Sequence, residues 1–154
     1  KVDLTARYGI NDWHGYDIAQ SPAAYRESRD DEDVKGGEFG ATWERPLGER
    51  FKLETRLMHQ FDSWDGLSTY DVTEDGVDAP RQEFDYSGDS SETILRALVR
   101  HERSPKITIE AGGEIAYNMR ETEQAFTVGG TPVPLPSASV KVEETRGEAF
   151  SKGT

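Results

Sequence analysis

The chain has 154 residues, 18 basic against 30 acidic side chains, a net charge of −12 and no cysteine. The length suits one domain, and the lack of Cys excludes disulfide staples, Cys-ligated zinc, iron–sulfur clusters and thiol nucleophiles. No stretch approaches the roughly 18 apolar residues of a membrane-crossing helix, and the acidic balance disfavours a nucleic-acid surface.

Hydrophobic alternation with a period of two runs through the chain and predicts strands. The first run sets Val2, Leu4, Ala6, Tyr8 and Ile10 against polar neighbours. The second sets Phe39, Ala41 and Trp43 between Glu38 and Glu44. The third follows from Phe51 to Phe61 on odd positions, with Leu53, Thr55, Leu57 and His59 between. A fourth covers Thr93, Leu95, Ala97, Val99 and His101, and a fifth Ile107 to Tyr117. A sixth, less regular run spans about Val140 to Ser151. No window sustains the i, i+3, i+4, i+7 stripe of an amphipathic helix. The predicted fold is all-β, an antiparallel up-and-down meander of about six long strands.

The two faces of these strands differ in kind. Across the first five runs the apolar set has 25 positions, and none is Asp, Glu, Lys or Arg. The opposite set has 24 positions, of which 12 are charged. Soluble sandwiches and membrane barrels both alternate, so the connections have to decide between them. Arg45–Arg50 and Arg103–Lys106 read as tight turns, whereas Asn11–Gly37, Asp62–Ser91 and Met119–Ser139 read as long polar loops. Strict alternation of short and long connections is the form of an outer-membrane barrel, with short periplasmic turns and long extracellular loops. In a compact soluble domain most connections run about 4–6 residues. The aromatics agree: Trp43, Phe51 and His101 fall at the short-turn end, and Tyr8, Phe61 and Tyr117 at the other. Rings at both ends of an aliphatic band match the two headgroup levels of a bilayer.

The stretch Gly37-Glu38-Phe39-Gly40-Ala41-Thr42-Trp43-Glu44-Arg45-Pro46-Leu47-Gly48 resembles a strand and periplasmic turn of a TonB-dependent outer-membrane receptor. Val133-Pro134-Leu135-Pro136 and Val140–Phe150 share that resemblance. It implies a large barrel, usually of 22 strands, closed by an N-terminal plug that couples to TonB. The chain opens on Lys1-Val2-Asp3-Leu4 already in pattern, and it closes on Arg146–Thr154 without a turn signal. The expectation is therefore that residues 1–154 form one open part of a TonB-dependent receptor-like β-barrel, with the plug lying outside them.

Candidate chemical sites are few. His14, His59 and His101 share no ligand spacing. Asp71-Val72-Thr73-Glu74-Asp75-Gly76 begins like a calcium loop, but Thr73 and Gln82 stand where carboxylates belong. Asp30-Asp31-Glu32-Asp33 reads as a solvated acidic run, suited at most to unspecific divalent cations. Tyr86–Ser91 lacks a nucleophile elbow, and Gly36-Gly37 and Gly129-Gly130 do not extend to a phosphate loop. Glu110 and Glu114 on one strand face would sit roughly 13 Å apart, too far for a glycosidase pair. No catalytic, cofactor-binding or metal residue is assigned, and no enzyme is expected. Arg56, Arg96 and Arg100 are expected to share one wall with Glu54, Glu110 and Glu114, for cross-strand pairing.

The function expected is active uptake across the outer membrane of a Gram-negative bacterium. A siderophore or oligosaccharide would be taken by loops bearing Trp13, Tyr16, Tyr25, Trp64, Tyr70, Phe84 and Tyr86 and imported with TonB-derived energy. Expected partners are outer-membrane lipid and lipopolysaccharide, the TonB complex through the plug, and a small ligand. No nucleic acid and no cofactor are expected. The competing readings are a passive outer-membrane porin and a soluble carbohydrate-binding β-sandwich.

Overall fold

The computed structural model describes residues 1–104 and 106–154. Six long strands form the sheet: β1 (Val2–Gln20), β2 (Ala24–Pro46), β3 (Phe51–Glu74), β5 (Gln82–Ser104), β6 (Ile107–Val128) and β8 (Ser139–Gly153). Two short ones, β4 (Val77–Asp78) and β7 (Thr131–Val133), cap hairpins at one end. Every pairing is antiparallel. Long strands follow one another in chain order, with β1 and β8 at the two edges. Among the described residues, contacts run only between hydrogen-bonded neighbours, so the sheet is a single unclosed layer.

The apolar runs lie in rows across this sheet. Leu4, Ala41, Leu57, Leu95, Ile115 and Gly147 stand directly opposite one another in register. The row of Phe51, His101 and Ile109 bounds the band below, where the Phe51 and His101 rings stack at 4.2 Å. Phe39 and Tyr117, then Tyr8 and Phe61, bound it above. Ten residue steps from Phe51 to Phe61 at ~3.3 Å, inclined by ~40°, give a band about 25 Å tall.

Burial inverts the order of a soluble protein. Leu4, Ile115 and Leu95 are 67%, 52% and 45% exposed. The side chains of Glu114, Glu110 and Glu92, on the opposite face, are only 26%, 24% and 21% exposed. A curved sheet crowds side chains on its concave side, so the charged face is the inner one. Among the described residues the one buried hydrophobic side chain, Ala116, also lies on that charged face. On the apolar side, nothing among the described residues covers the band.

The tight turns stand where expected. Leu47–Arg50 links β2 to β3 with Gly48 at φ +82°. The turn expected at Arg103–Lys106 is bounded by Ser104 and Ile107, and Pro105 lies outside the described residues. The expected long loops differ. The first shrinks to residues 21–23, because β1 continues to Gln20 and β2 begins at Ala24. The second is largely strand out to Glu74 and again from Gln82, and the third is strand out to Val128. Apolar alternation ends where the surroundings of the outer face change, but the backbone ladder continues wherever neighbouring strands can satisfy each other's N–H and C=O groups. Strands of 22 to 24 residues are about twice the ~9–11 needed to cross a bilayer.

Asp75-Gly76 and Gly129-Gly130 are two-residue hairpins with positive φ at both central positions. That backbone favours Asp-Gly and Gly-Gly, which explains both dipeptides as turn chemistry.

Candidate ligand-binding face

The concave face changes character along the strands. At the short-turn end it carries an ion-pair ladder: Lys52 to Glu44 at 2.9 Å, Arg56 to Glu54 at 3.3 Å, and Arg100 to Glu110 at 2.6 Å. Arg96 lies 3.9 Å from Glu114 and also stacks its guanidinium 4.6 Å from the centre of the Phe150 ring. The wall expected of these six residues is thus formed. Exposed pairs of this kind contribute about 0.2–1 kcal/mol each, enough to favour register but not to hold a sheet together.

Level with the upper aromatic row, two shallow depressions adjoin. One, about 400 Å³, lies where the directly paired Gly9 and Gly36 leave the sheet bare beside the Arg7–Glu38 pair. The other, about 220 Å³, is lined by Ser90, Glu92, Asn118, Arg120 and Glu144. Gln60 and Asp62 border both, so the two form one trough from β1 towards β8. Gln60 donates to Glu92 at 3.1 Å, and Arg146 reaches the same carboxylate at 3.4 Å.

Beyond the trough, aromatic rings pack over glycines of the sheet. Trp64 of β3 stands opposite Gly88 of β5, and Tyr86 of β5 stands opposite Gly66 of β3. A methyl group at Gly88 or Gly66 would fall 2.3 Å from the facing ring, so each glycine admits the aromatic across from it. Trp13 covers Gly15 of its own strand in the same way. Tyr86 donates its hydroxyl to Glu32 at 3.3 Å, and burial together with the nearby Glu32 charge pushes the phenol pKa up. Phe84 lies 5.8 Å from Tyr86 and pairs directly with Phe126. Arg120 rests 5.4 Å from the centre of Trp64.

Five of the seven aromatics expected in loops (Trp13, Trp64, Tyr70, Phe84 and Tyr86) therefore share the concave face, on strands. Tyr16 and Tyr25 stand on the other face. That other face is acidic here, with Asp12, Asp33 and Asp65 in one row. The two faces have exchanged polarity above the band. The repeated aromatic-x-Gly triplets Trp13-His14-Gly15, Trp64-Asp65-Gly66 and Tyr86-Ser87-Gly88 carried that signal in the sequence. The trough residues had none, since they come together only through register.

The histidines are dispersed. His14 meets Asp31 at 2.6 Å, His59 meets Thr93 at 2.8 Å, and His101 stacks on Phe51. Among the described residues no group of three potential ligands gathers round a point. Asp71 of the calcium-like stretch is held by two hydrogen bonds from Arg81, both 2.8 Å. Hydrogen bonding to Arg81 keeps the Asp71 carboxyl below its usual 3.8. The stabilisation it lends is present above 3.8 and is lost as pH falls through the lower folded value. Amide-exchange protection of Ala79, whose N–H donates to Val72 at 2.8 Å, should fall with acidification below 3.8. In Arg81→Ala that decline should be absent.

No family model and no curated protein matches this chain. Among solved structures, its fold is similar to the ferric yersiniabactin uptake receptor FyuA from Yersinia pestis, with a TM-score of 0.54 and 8% identity. The likeness covers 97% of this chain and 22% of that receptor. At such identity it shows the fold alone. The chain is an all-β antiparallel meander that matches part of a receptor β-barrel, and it spans about a fifth of that receptor's length.

Proposed function

We propose that this chain is part of the wall of a TonB-dependent uptake receptor in the outer membrane of a Gram-negative bacterium. The observation that carries this reading is the inverted burial: aliphatic side chains on the convex face, half-buried charges on the concave one. A lipid exterior and a watery or plug-filled lumen require that arrangement, because charge on the lipid face is costly while lumen charge is not. The band of about 25 Å between aromatic rows is the height of the apolar belt of such barrels. Below it the strands end within one turn, and above it they project well past the upper row. Ligand would meet the projecting concave face first, then pass down the ion-paired lumen once TonB, acting through a plug, has opened it. No bond in the ligand need change.

Sidedness tests this. In intact cells making the protein that carries this chain, an impermeant thiol reagent should label Val77→Cys, in the hairpin at the projecting end. Glu49→Cys, in the opposite turn, should react only after the outer membrane is permeabilised. Labelling of Glu49→Cys in intact cells would overturn the topology. Uptake that persists in a strain lacking TonB would favour a passive channel.

A further inference from the structure

We infer that the concave trough and the aromatic rings above it take a neutral, polyhydroxylated ligand of the oligosaccharide class. This rests on the receptor reading above and names the substrate of that same face. Two features decide the class. The first is charge: Glu38, Asp62, Glu92 and Glu144 face Arg7 and Arg120 in the trough, with Arg146 reaching Glu92 from beside it. An anionic metal chelate would meet more carboxylates than guanidinium groups there. A chain of hydroxyls, each both donor and acceptor, finds carboxylate, amide, hydroxyl and guanidinium groups side the length of the trough.

The second feature is the rings. Tyr86 and Trp13 each pack over a glycine, where the missing Cβ lets the ring approach the backbone and cover the sheet with apolar surface. Such rings suit the apolar C–H face of a pyranose, while its rim of hydroxyls reaches the polar groups beside it. A cationic ligand would compete at Trp64 for a π-face that the chain already supplies with its own cation, Arg120. The Gly9–Gly36 gap gives the depth that a side chain at either position would remove.

The test is binding of the purified, detergent-solubilised protein that carries this chain to an array of neutral and acidic oligosaccharides, with ferric catecholate and ferric hydroxamate chelates assayed in parallel. Neutral glycans should bind, and Tyr86→Ala should weaken that binding roughly tenfold or more. Gly9→Val places its side chain in open space, so it should fold and yet weaken binding by filling the trough. Heat-modifiable gel mobility checks that each variant has folded. An array blank for neutral glycans, binding of the ferric chelates alone, or glycan binding unchanged in both variants would overturn the inference. Those outcomes leave sidedness and TonB dependence untouched. Failure of the labelling experiment would instead remove the receptor reading whatever the array shows.

Discussion

Expressed alone in water, the 154-residue chain should aggregate and show no cooperative unfolding transition. Its accessible surface is 11026 Å², against ~7,800 Å² for a compact monomer of the same mass. The excess is a single-layered sheet with an aliphatic face and two unpaired backbone edges, both of which recruit other chains. Ala116 is the one buried hydrophobic among the described residues, so burial offers little to offset the conformational entropy of ordering the strands. Six long strands also fall short of the eight with which the smallest outer-membrane barrels close. Light scattering and thermal circular dichroism, with and without detergent, measure this directly. A soluble monomer with a cooperative melt and a protected Leu53–Leu95–Ile109 cluster would sink the membrane reading and favour a soluble sandwich.

Leu95→Arg should cost about 2–4 kcal/mol in assembly of the protein that carries this chain, a penalty characteristic of a cation near the bilayer midplane. Leu95 stands in the row of Leu57 and Ile115, midway between the Phe51 and Phe61 rows. Ile109→Arg, at the lower boundary of the band, should cost less, because the penalty falls towards the interface. Arg100→Leu lies on the concave face, where it forfeits only the exposed Glu110 pair, at a cost of about 1 kcal/mol or less. Folded yield in the outer membrane, read by heat-modifiable gel mobility, separates the two faces. Equal tolerance of Leu95→Arg and Arg100→Leu would show the faces to be wrongly assigned.

The apolar band was legible in the sequence because a strand's side-chain period is two, and one uniform medium along one face writes a plain alternation. Leu53, Thr55 and Leu57 on odd positions, with Lys52, Glu54 and Arg56 between, state both faces at once. The tight turn at Gly48 and the aromatic rows were readable for the same local reason. Past Ile10 and Phe61 the period continues, but the two faces exchange polarity. A reading that follows hydrophobicity then takes strand for loop, as over Asn11–Gly37.

By itself, then, the sequence determined strand periodicity, the apolar band and the turn chemistry, since each depends on side chains within a few positions of one another. Only the tertiary structure decided which face is concave and which strands neighbour which. It also decided that the polar stretches remain in the ladder. Those depend on backbone pairing between residues far apart, such as Trp64 with Gly88 and Gly9 with Gly36. The trough and the seating of Trp64 and Tyr86 on their facing glycines exist only through that register. A one-residue slip would carry every one of their side chains to the opposite face.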